Sequence, residues 1–167
     1  SRGLGDVYKR QEEEGAAAAA ASTTTATSTG TSYANPIEAA AVGTIVEALL
    51  PSLDPSSVGI ITPYSAQADL LEQRRLGGGV VEVSSVDGFQ GREKECIVFS
   101  AVRSNPERKV GFLSDERRLN VAITRAKRGL VIVGDEQTLS ASPVWRDYLR
   151  FLRKKGCVVE AVDALVQ

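Results

Sequence analysis

The sequence predicts an α/β sandwich with a mainly parallel sheet. Short apolar segments of strand length alternate five times with segments of helical character. One of them, Cys96–Val102 (CIVFSAV), is apolar at nearly every position, which is typical of a strand covered on both faces of a sheet. In such folds ligands bind at loops beyond the carboxyl ends of the strands, so we expect functional residues in those loops.

The first predicted helix begins at Asn35 and runs to about Leu50. Asn35 suits the N-cap, Pro36 suits the first turn, and Glu38 stands three residues after the cap. Apolar residues then repeat every four positions on one face: Ile37, Ala41, Ile45 and Leu49. This spacing predicts an amphipathic helix.

The remaining elements follow from apolar runs and from breaks at glycine and proline. Strands are predicted at 58–61, 80–83, 96–102, 130–133 and 157–162. Helices are predicted from Ser65 to the glycines at 77–79, over 115–124 and over 143–155. Phe89, Cys96, Phe99 and Val121 are assigned to the core.

Residues 1–34 are predicted to be a disordered low-complexity segment that precedes a domain at 35–167. Polyalanine and Ser/Thr-rich tracts dominate it, so it has little apolar surface to offset the entropy of ordering. Residues 1–11 are similar to a translated sequencing adapter. Because methionine is absent, we expect the chain to be a piece of a longer protein.

Composition excludes several classes of function. The two cysteines lie far apart and histidine is absent, which excludes a disulfide scaffold, a thiolate zinc site and catalysis by an imidazole. No apolar run approaches the roughly 18 residues of a membrane span. The net charge is −1, but residues 103–155 hold 13 Lys and Arg against 6 Asp and Glu, a local +7 that suits a polyanion.

Two basic loops are candidate phosphate sites. In residues 84–94, Gly88 and Gly91 let backbone approach a ligand, Arg92 and Lys94 suit anions, and Glu93 suits a sugar hydroxyl. The alternative is a charged surface turn in which Phe89 fills the core. In residues 124–128, Arg125 and Arg128 face one anion if that stretch is helical. The alternative there is a solvated basic turn.

The predicted strand 130–133 ends in Gly-Asp-Glu, a pattern that imitates the magnesium-binding strand of a nucleotide hydrolase. No G-x-x-x-x-G-K-[ST] motif occurs in the chain. Asp135 and Glu136 are therefore interpreted as a strand end and a helix start, and no metal site is predicted. Small polar residues at other strand ends suit either phosphate contacts or turn caps: Thr62, Ser65, Ser84, Ser85, Ser104 and Asn105.

Three stretches occur in one order with family-like spacing: VGIITPYSAQADLLEQ, VSSVDGFQGREKECIVFSAVRSN and GFLSDERRLNVAITRAKRGLVIVGD. They resemble motifs IV, V and VI of superfamily 1 helicases, in the branch shared by the nonsense-mediated-decay RNA helicase and the immunoglobulin mu-binding helicase. VDGFQGREKE and VRSN resemble the mu-binding type more closely, and TSYANPIEAA resembles the lead-in segment of the decay helicase. The resemblance covers roughly residues 30–162.

The resemblance implies the second RecA-like domain of a two-domain motor, a P-loop NTPase-type three-layer sandwich without its own phosphate loop. It implies ATP with Mg²⁺, bound jointly with a first RecA-like domain that is absent from this chain. The implied partner is single-stranded RNA or DNA, in the cytoplasm or nucleus and without a membrane.

The resemblance also implies roles for single residues. Arg125 of ITRAKR is similar to an arginine finger on the γ-phosphate, and Gly91 and Glu93 of FQGRE face the nucleotide, with Glu93 on the ribose. The implied nucleic-acid contacts are Thr62, Ser85, Arg103 and Asn105. Lys127 stands where many relatives have arginine, so a bidentate contact is not expected there.

Three interpretations stay open at this point. The first is a piece of an ATP-dependent helicase that supplies the arginine finger and part of the nucleic-acid track and is inactive alone. The second is a non-catalytic nucleic-acid-binding or regulatory module on a helicase fold. The third is an α/β ligand-binding domain without nucleic acid. Arg125 and Glu93 favour the first over the second.

Overall fold

The structure, a computed structural model, describes residues 23–27 and 30–159. The strands are β1 (Thr23–Thr27), β2 (Gly30–Ala34), β3 (Val58–Thr62), β4 (Glu82–Ser85), β5 (Lys94–Ser100) and β6 (Ala126–Val133). The helices are α1 (Pro36–Leu49), α2 (Ser65–Glu72), α3 (Leu76–Gly79), α4 (Glu116–Ile123), α5 (Glu136–Leu139) and α6 (Pro143–Lys154). Short 3-10 turns occupy Pro55–Ser57 and Gly111–Ser114.

The central sheet has the strand order β4-β3-β5-β6, and each neighbouring pair is parallel. Ile60 of β3 lies opposite Val83 of β4 and Val98 of β5, which fixes the register of the three strands. The predicted α/β fold with a parallel sheet is thus confirmed. β1 and β2 form a separate antiparallel hairpin.

Helices cover both faces of the sheet, which gives the three layers. Side chains alternate along β5, so that Cys96 and Val98 pack with α1 on one face while Ile97 and Phe99 pack on the other. The second face is covered by α4 and α6, with Trp145 fully buried between them and the sheet. Burial of this kind on both faces explains the continuous apolar pattern of the sequence.

The start of α1 follows the sequence closely. Asn35 is the N-cap, and its Oδ1 accepts a hydrogen bond from the Glu38 N–H at 3.0 Å. The helix ends at Leu49, one residue before the predicted end. A capping box would require the Glu38 side chain to bind the N–H of the cap residue, and it does not. It is instead buried beneath the sheet edge, with 4% of its surface exposed.

The connection between β4 and β5 carries the chain across β3. Residues 86–93 start at the carboxyl end of β4 and finish at the amino end of β5. Phe89 in the middle of this loop is fully buried, as predicted. Gly59 of β3 makes room for it, since a Cβ atom there would lie 3.0 Å from the Phe89 ring. The loop therefore runs from the carboxyl-terminal edge of the sheet, where the strands end, to its amino-terminal edge, where they begin.

The structure differs from the sequence prediction at both ends of the domain. Residues 23–27 and 30–34 form the strands β1 and β2 rather than a disordered segment. Ser32 and Tyr33 of β2 make polar and aromatic contacts that a count of apolar residues does not register. Residues 1–22 and 28–29, which include the supposed adapter at 1–11, lie outside the described residues. No strand forms at 157–159, and the rest of the predicted last strand lies outside the described residues.

Candidate functional site

The candidate site residues divide between the two edges of the sheet. Gly91, Glu93 and Arg125 lie at the amino ends of β5 and β6. Of the four predicted nucleic-acid contacts, Thr62 and Ser85 are the last residues of β3 and β4, and the other two follow the carboxyl end of β5. The seven residues of β5 separate the two groups, a distance of about 20 Å at the usual rise per residue. Only the second group lies at the edge where the sequence places ligand-binding loops.

At the amino edge, a backbone hydrogen bond joins the two predicted nucleotide loops. The Lys94 N–H donates to the Arg125 carbonyl at 3.1 Å, and Lys94 lies opposite Ala126 in the register of β5 and β6. Gly91 adopts a φ of +75°, and open space surrounds the position of its missing Cβ. Glu93 is exposed. The structure therefore brings Gly91, Glu93 and Arg125 together at one surface.

Arg125 is half-buried and held in place by its own helix end. Its Nε donates to the Val121 carbonyl at 3.1 Å, and its Nη2 donates to the Thr124 hydroxyl at 3.1 Å. Neither contact neutralises the charge, because both acceptors are uncharged. The guanidinium therefore keeps further N–H donors for an anion.

Arg125 and Arg103 differ from the other arginines. Among the described residues, three arginines are half-buried: Arg103, Arg118 and Arg125. Arg118 lies 3.3 Å from the Asp87 carboxylate. Within residues 23–27 and 30–159, Arg103 and Arg125 have no carboxylate oxygen within 4.0 Å. Both unpaired, half-buried guanidinium groups thus belong to the predicted site.

Other predicted anion ligands are engaged elsewhere. Arg92 pairs with Glu82, and the Lys94 Nζ lies 3.1 Å from the same carboxylate. Arg128 belongs to β6 and pairs with Glu95 at 3.0 Å. The condition under which Arg125 and Arg128 would face one anion, a helical stretch, is therefore not met, because the chain turns from helix into strand between them.

At the carboxyl edge, Arg103 follows β5 and lies against an aromatic ring. Its Cζ lies 4.1 Å from the centroid of the Tyr33 ring, and its Nε donates to the Lys109 carbonyl at 3.0 Å. A guanidinium stacked on an aromatic ring keeps its charge while its orientation is restricted. Arg103 is thus oriented without being neutralised.

Thr62 and Ser85 are neighbours across β3 and β4, but only Ser85 reaches the surface. Ser85 is partly exposed, and its hydroxyl accepts a hydrogen bond from the Gly88 N–H at 3.1 Å, which leaves its own proton for an acceptor. Thr62 is fully buried, and its Oγ1 has no hydrogen-bond partner among the described residues. The structure therefore does not present the Thr62 hydroxyl to a nucleic-acid strand, contrary to expectation, because the side chain is fully buried.

Asn105 uses its side chain within its own loop. Its Nδ2 donates to the Lys109 carbonyl at 3.0 Å, and its Oδ1 accepts from the Lys109 N–H at 2.8 Å. These two bonds close the turn over residues 105–109. The sequence predicted that the Asn105 amide contacts a nucleic-acid strand. In the structure this amide shapes the loop that follows Arg103.

Asp135 begins α5, as the sequence predicts. Its Oδ1 accepts from the Gln137 N–H at 2.9 Å, and its Oδ2 accepts from the hydroxyls of Ser104 and Thr138 at 2.9 and 2.8 Å. It thus caps the helix and fastens the loop that carries Arg103. In the described part of the chain, no three His, Cys, Asp or Glu side chains are grouped so as to hold a metal ion.

Sequence reasoning missed an aromatic row at the carboxyl edge. Tyr33, Tyr64 and Phe112 follow one another with centroid distances of 5.5 and 5.7 Å. Phe112 is 52% exposed, and the Arg118 guanidinium lies 5.1 Å from its ring. The three rings come from distant parts of the chain, so no local sequence pattern predicts that they lie together. The exposed Phe112 ring beside Arg118 suits stacking against a base.

Sequence reasoning also missed the buried carboxyl of Glu38. Burial raises the pKa of Glu38 to about 7 from the ordinary 4.5, the hydrogen bonds from Ser100 and Val102 lower it in part, and the Asp135 charge raises it further. Its place after an N-cap was the only local signal, and that signal indicated a helix start.

No helix of the described residues has the length and apolar character needed to cross a membrane.

Comparison with known proteins supports the resemblance. A family described as an AAA domain matches residues 7–137, a span that begins inside the segment 1–34. The chain is 46% identical over 143 residues to the Arabidopsis thaliana protein named regulator of nonsense transcripts 1 homolog, across 80% of this chain and 11% of that protein. It is 44% identical over 143 residues to the ATP-dependent helicase NAM7 of Saccharomyces cerevisiae, across 80% and 15%.

A third relative, the ATP-dependent helicase upf1 of Schizosaccharomyces pombe, is 40% identical over 143 residues, across 80% of this chain and 16% of the relative. The chain thus spans about a tenth to a sixth of the length of these relatives. The family match covers well over half of the chain, and the parallel α/β sandwich agrees with it. This chain therefore belongs to the AAA domain family, as a superfamily 1 helicase domain of the RecA-like class similar to the regulators of nonsense transcripts.

Proposed function

We propose that this chain is the second motor domain of an ATP-dependent helicase that acts on single-stranded nucleic acid. One observation carries the proposal: Arg125 and Arg103 are half-buried at opposite edges of the sheet, and neither has a carboxylate partner among the described residues. A guanidinium held partly out of water favours a bidentate oxyanion. The phosphates of ATP and of a nucleic-acid backbone are anions of that kind.

On the nucleotide side, Arg125 acts as the arginine finger. The transferred phosphoryl group spreads negative charge over its equatorial oxygens in the transition state, and a preoriented guanidinium stabilises that charge. The helix end fixes Arg125 through the Val121 carbonyl, so little reorientation is needed. Gly91 exposes its backbone to the ligand, and the exposed Glu93 carboxylate accepts hydrogen bonds from the ribose.

ATP in this proposal is shared with a first RecA-like domain. That domain supplies the phosphate loop and the Mg²⁺ ligands, since this chain contains no G-x-x-x-x-G-K-[ST] motif. Mg²⁺ held by that domain would supply charge neutralisation at the phosphates. The chain alone is therefore expected to bind single-stranded nucleic acid without hydrolysing ATP.

On the strand side, Arg103 and the Ser85 hydroxyl contact backbone phosphates, and the exposed ring of Phe112 stacks on a base. Such contacts are independent of sequence and suit a motor that moves along a strand. Thr62 and Asn105 are left out, because one is buried and the other closes its own turn. The relatives are named for nonsense transcripts, so RNA is the first strand to test, with DNA beside it; both imply a location in the cytoplasm or nucleus.

The test is a paired measurement of steady-state ATPase activity and nucleotide-free strand affinity in the full-length protein. Arg125→Ala is expected to reduce kcat on the order of 10³–10⁵-fold, the usual contribution of an arginine finger. Arg125→Lys is expected to rescue little, because a point charge does not reproduce the planar fork. Arg128→Ala is the matched control, since its side chain is 85% exposed and pairs with Glu95.

Two outcomes would redirect the proposal. If Arg125→Ala kept kcat but lost strand affinity, Arg125 would belong to the nucleic-acid track. If the unmutated full-length protein bound strands and hydrolysed no ATP, the non-catalytic binding module would be the better description. ATP hydrolysis by the 167-residue chain alone, stimulated by nucleic acid, would refute the division of labour between two domains.

A further inference from the structure

The backbone turns sharply where β5 ends, at Val102. This residue has a φ of +72°, a conformation that β-branched side chains rarely adopt. The Arg103 N–H donates to the Ala101 carbonyl at 2.8 Å across it. A hydrogen bond between residues two apart around a central residue of positive φ is the pattern of a γ-turn of the rare, strained kind. Such a conformation persists only where its surroundings hold it.

The first turn of α1 supplies the groups that hold this turn. The Val102 N–H donates to the Glu38 Oε1 at 2.7 Å, and the Asn35 Nδ2 donates to the Val102 carbonyl at 3.2 Å. Both backbone polar groups of Val102 are thus bound by side chains of one helix start. Glu38 also accepts from the Ser100 hydroxyl at 2.6 Å, which anchors it to the last residue of β5.

A second contact frees Glu38 from its local role. In a capping box, the residue at this position binds the N–H of the cap residue. Here the Asn35 N–H donates to the Gln67 Oε1 at 2.8 Å, and the Gln67 Nε2 donates to the Ser100 Oγ at 3.0 Å. Gln67 of α2, which is fully buried, therefore binds the N–H that Glu38 would bind in a capping box. The Glu38 carboxyl is left to bind Val102, 64 residues away in the sequence.

The turn determines where Arg103 leaves the sheet. Since Arg103 is the next residue, rotation about Val102 changes the direction of its side chain relative to Tyr33 and to the Lys109 carbonyl. We propose that Glu38 and Asn35 are positioning residues that hold Val102 in its γ-turn and thereby aim Arg103 at the nucleic-acid strand. The proposal rests on the proposed function in one respect, namely that Arg103 contacts the strand.

A double-mutant cycle tests whether Glu38 acts through Arg103. Binding of the 167-residue chain to a fluorescent oligouridine is measured by anisotropy for the unmutated chain, Glu38→Ala, Arg103→Ala and the double variant. Arg103→Ala is expected to weaken binding about tenfold, as for the loss of one charged hydrogen bond. Glu38→Ala is expected to weaken it to a similar degree, and to have no further effect when Arg103 is already alanine. Equal losses in both backgrounds would overturn the proposal.

Two conservative variants separate positioning from folding. Glu38→Gln keeps an acceptor for the Val102 N–H, so strand affinity is expected to stay within about twofold of the unmutated chain. Asn35→Asp keeps the cap acceptor but loses the donor to the Val102 carbonyl, so it is expected to weaken binding only when Arg103 is present. If Glu38→Ala does not fold, Asn35→Asp decides the question, and an unchanged affinity in that variant would overturn the role of Asn35.

A direct measurement of the turn makes the two proposals distinguishable. A positive φ brings the amide and α protons of a residue close together, so Val102 is expected to show a strong intraresidue NOE. That signal is expected to weaken in Glu38→Ala and Asn35→Asp and to persist in Glu47→Ala, an exposed position of the same helix. Persistence in all variants would overturn the positioning role. Failure of the unmutated chain to bind any strand, with the turn lost in Glu38→Ala, would overturn the proposed function alone.

Discussion

The Glu38 carboxyl predicts a measurable pH dependence of stability. It is 4% exposed, and burial raises its pKa to about 7 against the ordinary 4.5, even though Ser100 and the Val102 N–H bind the charged form. The Asp135 charge at the end of β6 adds to the rise. The folded state therefore holds the Glu38 proton more tightly than the unfolded chain does.

The magnitude follows from the two pKa values. Between pH 4.5 and about 7 the folded state binds more protons at this site than the unfolded state, so its contribution to stability falls as the pH rises through that window. At about 1.36 kcal/mol for each pKa unit, the loss is about 3 kcal/mol, complete above the folded pKa. Glu38→Gln removes the titration while it keeps the acceptor for Val102.

The assay is urea unfolding of the unmutated chain and Glu38→Gln from about pH 4 to about pH 8. The difference in the free energy of unfolding between the two proteins is expected to shift by about 3 kcal/mol in favour of the variant as the pH rises. Taking the difference cancels other titrations, such as those of Asp54 and Glu82, whose lowered pKa values give the opposite slope. Glu47→Gln is the matched control, because Glu47 is exposed on the same helix.

A difference that stays constant across this range would refute the reasoning. It would mean that the hydrogen bonds from Ser100 and Val102 stabilise the carboxylate enough to offset its burial. A difference that moves in favour of the unmutated chain as the pH rises would show that the charged form is the one the folded state prefers. Either result would also require a new account of why Glu38 is buried.

Three further substitutions test the packing around the candidate site by chemical unfolding. Thr62→Val is expected to raise the free energy of unfolding by about 1 kcal/mol, since it removes a buried hydroxyl without a described partner. The affinity for a nucleic-acid strand is expected to stay unchanged, and a loss of affinity would show that Thr62 contributes to binding. Ser32→Ala is expected to lower stability by about 1 kcal/mol, because Ser32 caps α2 through the Ala66 N–H at 3.0 Å, whereas no change would place β2 outside the folded unit. Gly59→Ala is expected to cost about 1–3 kcal/mol by crowding Phe89, and a neutral effect would show that this ring has room to move.

Local patterns predicted the elements that have local causes. The cap at Asn35 and the apolar face of α1 involve residues a few positions apart, and the apolar run of β5 reflects cover on both faces. The strand bounds shifted by two residues, from 96–102 to 94–100, because pairing with β6 begins at Lys94 and ends at Ser100, while pairing with β3 covers 96–99. Apolarity marks what is buried, whereas pairing determines where a strand begins and ends.

The features that sequence reasoning missed depend on distant partners. Glu38 stands at a capping position in the sequence, but in the structure Gln67 binds the N–H of the cap residue. Thr62 stands at a strand end where a nucleic-acid contact was predicted, but its side chain is fully buried. Arg128 appears to accompany Arg125 until β6 begins between them. Arg125 and Arg103 were predicted as site residues because the motifs that contain them, ITRAKR and VRSN, can each be recognised in one continuous stretch of the sequence. That neither of them has a carboxylate partner among the described residues could be seen only in three dimensions.

The two proposed surfaces are joined by β5, and this constrains how the domain could work. At one end the Lys94 N–H binds the Arg125 carbonyl, and at the other end Glu38 and Asn35 hold Val102 beside Arg103. Between them the strand is paired on both sides and its inner residues are at most 1% exposed, so it has little freedom to bend or slide within the sheet. A displacement imposed at Arg125 by the nucleotide would therefore reach Arg103 as movement of the whole domain. Under the proposed function, coupling between ATP and strand then requires a change in the angle between two domains rather than a rearrangement inside this one.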